Sequence, residues 1–352
     1  MLGQKKNENE MNWEKINIKT ENRNDVEAQA PIIISASRST DIPAFYSDWF
    51  INRIKQGYLV WKNPFNQSPL FVTFQNTRLI VFWSKNPKPI IQHLVYLNDK
   101  NLNYYFQFTI NDYVKEKLEP NVPSIESRIE TFINLSEKIG KEKVIWRFDP
   151  LILTDKIGVN ELLSKIERIG NQLSQHTVKL VFSFADIGIY RKVQSNLNKG
   201  NINYSEFDDI SMNQFAQGLK ELNQKWKFEI STCAEKIELG KYGINHNRCI
   251  DDDLMKRLFY KDSKLMEFLG YELKKADLFE TKEELIPIKK RNLKDKGQRE
   301  LCGCIFSKDV GEYNTCLHLC EYCYANTSKK VVLDNYHCIK ENNQTSETIT
   351  GR

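Results

Sequence analysis

Pro31-Ile-Ile-Ile-Ser35-Ala-Ser-Arg38-Ser-Thr-Asp41-Ile-Pro-Ala-Phe-Tyr46-Ser-Asp-Trp-Phe50-Ile-Asn-Arg-Ile54 reads as a buried strand, a polar turn and an amphipathic helix. The apolar run at 32–36 is short and β-branched, the pattern of a strand covered on both faces. Ile42, Phe45, Tyr46, Trp49, Phe50 and Ile54 then fall at helical spacing, with Asp41 placed to cap them and Gly57 to end them. The same unit recurs outward along the chain. Further strands are expected at 79–84, 104–110, 144–148, 179–184 and 227–231. Helical periodicity follows at 90–97 after Pro87-Lys-Pro, at 125–139 behind Ser124, at 162–173 and at 215–222. Residues 58–74 read as an inserted β-hairpin. Six such units predict an α/β fold: a parallel (β/α) full or partial barrel, TIM-like, with about six units and a C-terminal Cys-rich, cluster-binding segment. No Gly-x-Gly-x-x-Gly follows a strand, which argues against a dinucleotide fold.

Composition sets limits around this frame. Hydrophobic residues make up 40% of the 352 positions, enough for a large core. No apolar run approaches the roughly 20 residues that a membrane helix needs, so no membrane partner is expected. The first 30 residues lack the apolar core of a signal peptide, and a cytoplasmic protein is expected. Net charge is +5 with both signs mixed, which gives nucleic acid only weak support as a partner. Polar composition predicts a disordered tail over 1–30, a barrel-like domain over 31–300, a cluster motif over 301–326 packed on the barrel mouth, and a flexible tail over 327–352.

Polar and charged residues trail the strands. Arg38 and Asp41 follow the first, Lys85 the second, and Gln107 lies in the third. Arg147 and Asp149 end the fourth, Ser183 and Asp186 the fifth, and Glu235 comes just after the sixth. In a barrel such groups converge on one rim, so Arg38, Asp41, Lys85, Arg147, Asp149, Asp186 and Glu235 are candidate catalytic residues. Any one of them could equally cap the helix that follows.

The cysteines carry the sharpest signal. Five of the eight lie between Cys302 and Cys323, and in a cytosolic protein such a cluster indicates metal or catalysis rather than disulfides. Cys316-Leu-His-Leu-Cys320-Glu-Tyr322-Cys323 is a C-x3-C-x2-C run. Three thiolates on one loop can hold three irons of a [4Fe–4S] cube and leave the fourth open. Cys302-Gly-Cys304, Cys233 and Cys249 supply four more thiols, the number for a closed zinc or auxiliary Fe–S site; the bland alternative for Cys233 and Cys249 is ordinary burial. His318, inside the loop, reads as a residue supporting the ligands or lying at the surface, and Cys338 as a bystander. The basic run Lys289 to Lys296 reads as a solvated linker rather than a phosphate contact.

The C-x3-C-x2-C spacing resembles that of the radical S-adenosylmethionine enzymes. The segments Ser35-Ala-Ser-Arg38-Ser-Thr-Asp41-Ile-Pro43, Phe82-Trp-Ser-Lys85-Asn-Pro87-Lys-Pro and Val144-Ile-Trp-Arg147-Phe-Asp149-Pro150 resemble a bacterial family termed domain of unknown function eighteen forty-eight. So does Cys302-Gly-Cys304 with Lys308-Asp-Val-Gly-Glu-Tyr313-Asn314-Thr-Cys316, and the likeness runs over about 32–326. The radical-enzyme resemblance implies a [4Fe–4S] cluster on Cys316, Cys320 and Cys323, and S-adenosylmethionine as cofactor. It also implies reductive cleavage of that cofactor, an unknown substrate, and a reductant such as flavodoxin or ferredoxin. Gln107, Ser183, Tyr322 and Asn314 are expected to bind cofactor. In most radical enzymes the cluster loop follows the first strand. Here it follows the last helix and must fold back over the barrel mouth. Two other functions compete: a zinc-stabilised module that binds nucleic acid or protein, and an Fe–S electron carrier. Neither needs charged groups at the strand ends.

Overall fold

Eight parallel strands form the central sheet of the computed structural model, which describes residues 12–274, 283–342 and 344–352. They are β1 (Ile33–Ala36), β2 (Leu79–Ser84), β3 (Asn103–Thr109), β4 (Val144–Leu151), β5 (Lys179–Phe184), β6 (Glu229–Thr232), β7 (Ile244–His246) and β8 (Lys308–Asp309). Strands β1 to β7 lie side by side in chain order, and β8 pairs with the free edge of β1. The six expected strands are present, each end within three residues of its expected place. The two additions, β7 and β8, are very short.

Alternate residues of each strand enter different cores, as the pleat requires. On one face Ile34, Ile80, Phe82, Phe106, Trp146 and Phe182 pack against the helices that connect the strands. These include Ser47–Gln56, Ile125–Ile139, Val159–Leu173 and Asp209–Trp226. Gly57, at φ 88°, ends the first of them, and the Ser124 hydroxyl accepts from the Ser127 N–H to start the second. On the other face Ile33, Leu79, Val81, Tyr105, Ile145 and Val181 pack against a C-terminal layer. That layer includes helices Asp252–Phe259 and Ser263–Leu269, with Leu293, Ile305 and three cysteines.

This second layer goes against the full barrel, one of the two forms expected. The sheet is open, with β7 and β8 as its edges. In a closed (β/α) barrel the strands' own inward side chains fill the interior. Here two helices and a cysteine-bearing segment cover that face instead. What stands is a mixed α/β fold built on one eight-stranded parallel sheet.

The segments read as tails are folded where they are described; residues 1–11 lie outside the described residues. Lys15–Lys19 and Asp25–Gln29 form an antiparallel pair that joins the hairpin of Tyr58–Lys62 and Pro69–Thr73 in a four-stranded sheet. Lys329–Glu341 is a helix, the Trp49 indole donates to the Ser346 carbonyl at 2.8 Å, and Ile349 is buried. Polar composition hid these elements because each buries only one or two apolar residues against the main body. No helix among the described residues is long and apolar enough to cross a membrane.

Candidate metal and catalytic site

The cysteine loop leaves β8, and β8 lies beside β1. It therefore enters next to the turn that follows the first strand, without crossing the sheet from the last helix. Asp309, the last residue of β8, fixes this entry. Its carboxylate accepts from the Ser35 and Ser37 hydroxyls, each at 2.8 Å, and from the Arg38 N–H at 2.9 Å. Gly311 then passes so close that an added Cβ would stand 1.9 Å from the Ser37 hydroxyl oxygen. The inserted hairpin braces the same stretch: the Trp61 indole donates to the Gly311 carbonyl at 2.9 Å, and the Lys308 ammonium sits 3.4 Å from the Trp61 ring centre.

From there residues 314–326 dock against the ends of β1 to β3. The Tyr46 hydroxyl donates to the Thr315 carbonyl, the Glu321 N–H to the Leu118 carbonyl, and the Asn121 amide to the Leu317 carbonyl. His318 is buried rather than on the surface, with its Nε2 2.7 Å from an Asp41 carboxylate oxygen. Asp41 also accepts from the Ala44 N–H at 3.0 Å, the Ser84 hydroxyl at 2.7 Å and the Lys85 N–H at 2.7 Å. It is both a helix cap and the bolt between the loop and two strand ends, a positioning role. Asp41→Asn puts an N–H where an acceptor is needed and is expected to cost about 1.5–3 kcal/mol. The loop should then become the first site of limited proteolysis, and wild-type melting with wild-type proteolysis would remove Asp41 from this role.

Beside the loop lies a buried charged network. The Lys85 ammonium is 2.9 Å from the Glu119 carboxylate and 3.0 Å from the Tyr322 hydroxyl, which itself donates to Glu119. Arg128 reaches the other Glu119 oxygen at 3.4 Å, and the Asn111 amide donates to Glu119 and to the Asp149 carbonyl. Burial alone would raise Glu119, but Lys85 and Arg128 hold its carboxyl below the ordinary value. Asp149 is likewise held down against burial, by Arg147 and the Ser183 hydroxyl that donates to it. Glu119, Asn111 and Arg128 were not visible as candidates in the sequence. The first two lie on a connection with no periodicity, and Arg128 is one charged position on an amphipathic helix.

The expected rim residues divide. Lys85, Asp149, Ser183 and Tyr322 meet in the network just described. Arg38, Gln107 and Arg147 instead approach the second cysteine set. The Gln107 amide donates to the Cys249 carbonyl at 2.9 Å, and Arg147 donates to the Cys249 sulfur at 3.0 Å. Asp186, half-exposed, accepts from Arg299 at 3.4 Å. Glu235 is buried and accepts from the Phe184 N–H at 3.0 Å; burial, with Asp186 adding to it, pushes its carboxyl up to about 8. Asn314 has φ 61°, and its side-chain oxygen accepts from the Thr327 N–H and hydroxyl. That makes its side-chain oxygen a turn lock.

The thiols of Cys316, Cys320 and Cys323 are buried or half-buried, and burial raises all three, Cys316 to about 12. Lys85 opposes this at Cys320. All three thiols stand on one short loop, spaced C-x3-C-x2-C. Such a three-thiol set suits a polynuclear cluster, in which each thiolate takes its own iron. The donor set thus fits an iron–sulfur group.

No curated protein and no solved structure matches the chain. A family model described as a domain of unknown function matches residues 33–325, from the first residue of β1 to two residues beyond Cys323. The match spans the whole parallel sheet, the charged network and both cysteine sets, and on that extent the chain belongs to the DUF1848 family.

Proposed function

We propose that the protein is an iron–sulfur enzyme of the radical S-adenosylmethionine kind, with Cys316, Cys320 and Cys323 holding a [4Fe–4S] cluster. The observation that carries this reading is the delivery of a three-thiol loop to the C-terminal ends of parallel strands, beside Lys85, Glu119, Tyr322 and Asn111. Zinc staples and electron carriers do not need such a lined mouth. When bound, such a cluster supplies one-electron reductive cleavage of S-adenosylmethionine. Lys85, pinned by Glu119, gives a fixed positive charge for a carboxylate. Asp149, kept ionised by Arg147 and Ser183, gives an acceptor for hydroxyl or ammonium groups. The sequential order of β1 to β7 is that of a partial (β/α) barrel, with the loop closing its mouth and shielding it from water. A low-potential carrier such as flavodoxin or ferredoxin would supply the electron, and a cytoplasmic setting would keep the thiols reduced.

Anaerobically purified and reconstituted protein, reduced with dithionite and given S-adenosylmethionine, is expected to release 5′-deoxyadenosine slowly without added substrate. Protein that carries zinc and no iron, or a reducible cluster that never cleaves the cofactor with any donor, would overturn the reading.

A further inference from the structure

Cys233, Cys249, Cys302 and Cys304 come from three distant parts of the chain and meet on the second face of the sheet. Cys233 leaves the end of β6 with its N–H bonded to the Phe182 carbonyl at 2.8 Å. Cys249 follows β7, and its sulfur lies 3.7 Å from that of Cys233. The segment with Cys302 and Cys304 is sewn to the same place: the Ile305 N–H donates to the Ile250 carbonyl at 3.1 Å, and the Ile250 N–H points at the Cys304 sulfur at 3.4 Å. Cys249, Cys302 and Cys304 share one apolar cluster, with Cys233 packed against it.

What surrounds these sulfurs is a set of N–H donors. Cys249 receives Arg147 Nη1 and Asn247 Nδ2, each at 3.0 Å. The Arg38 guanidinium approaches Cys304, and its Nη2 is buried with no hydrogen-bond partner. Two guanidiniums and an amide directed at thiols in an apolar core make little sense for neutral S–H groups, which are weak acceptors. They are the arrangement that stabilises metal-bound thiolates, whose sulfurs carry charge and accept hydrogen bonds. Asp309 and Asp149 pair the far sides of Arg38 and Arg147, and Arg299 adds a cation near Cys233.

We propose that Cys233, Cys249, Cys302 and Cys304 bind a second, closed thiophilic metal centre, separate from the loop of Cys316, Cys320 and Cys323. Four protein thiolates leave no open coordination position, so this centre binds neither substrate nor cofactor. It clamps the 293–305 segment to β6 and β7, along the face that a closed barrel would fill with side chains. Zinc and an iron–sulfur cube share this ligand chemistry, and the measurement separates them.

The test uses the full chain, purified anaerobically, with metal and acid-labile sulfide measured per chain. In the triple variant Cys316→Ala, Cys320→Ala, Cys323→Ala, one centre should remain: about one zinc without sulfide, or iron with matching sulfide. Adding Cys302→Ala and Cys304→Ala should remove it. A folded triple variant without metal, or a quintuple variant that keeps it, overturns the proposal. Should the triple variant fail to fold, Cys302→Ser in the otherwise native chain decides. It should lose one centre's metal while the loop keeps its iron, and an unchanged metal content overturns the proposal. The outcome does not depend on whether the loop cluster cleaves S-adenosylmethionine.

Discussion

Cys320→Ala is expected to strip iron and sulfide from the C-terminal loop and to abolish release of 5′-deoxyadenosine. Cys320 is the most enclosed of the three loop thiols, beside Lys85, and it directly precedes the Glu321 N–H that ties the loop to Leu118. Alanine removes one of three ligands and leaves a buried gap with no donor. Changes one shell further out cost about 10–100-fold in metal affinity, and loss of a direct ligand should exceed that. The melting temperature of metal-free protein should move far less, because the loop's anchors to Asp41, Asn121 and Leu118 do not involve the sulfur. Retention of full iron and full cleavage by Cys320→Ala would show that the loop is not the cluster site. Loss of the loop's iron with total cleavage unchanged would place the chemistry elsewhere.

Glu119→Gln is expected to cause the largest loss of stability of any single change in the mouth, about 3–5 kcal/mol. The carboxylate is the shared counter-charge of Lys85 and Arg128, and Arg128 is fully buried. Glutamine keeps the shape but leaves two cations in the core with no anion, and one buried Arg128 nitrogen already lacks a partner. The pH dependence follows from the direction of each shift. Glu119 is held below its ordinary 4.5, so its contribution is complete above that value and disappears as pH falls through the lowered folded value. Burial would lower Lys85, but Glu119 holds it above its ordinary 10.5; its contribution is complete below that value and is lost as pH rises through the raised one. The stability gap between wild type and Glu119→Gln should therefore be flat across neutral pH and should shrink in acid, below 4.5. Denaturant unfolding at several pH values measures this. A gap under about 1 kcal/mol at pH 7 would mean that water reaches the pair and screens it.

The network also links the two predictions. Tyr322, between Cys320 and Cys323, donates to Glu119 and receives Lys85, so the ligand loop and the charged cluster are one assembly. Removal of the Glu119 charge should lower iron loading as well as stability, whereas removal of the Cys320 sulfur should lower iron loading alone.

The repeating strand-and-helix units, the inserted hairpin and the two cysteine sets were all legible in the sequence. Each is written locally, in a run of β-branched residues, a helical period or a spacing of a few positions, and local propensity and chemistry act over that range. The tertiary structure alone decided what lies next to what. Strands β7 and β8, with three and two residues, carry no pattern of their own and form because a neighbouring edge offers hydrogen bonds. The pairing of Asp309 with Ser35 spans 274 positions and that of His318 with Asp41 spans 277, distances at which no periodicity speaks. The open sheet was settled in the same way, by where the helices of residues 252–269 bury their apolar sides. Arg38 and Arg147 show the division most clearly. Sequence placed them at strand ends, and only packing turned them toward sulfur, because a buried guanidinium goes where negative charge can meet it.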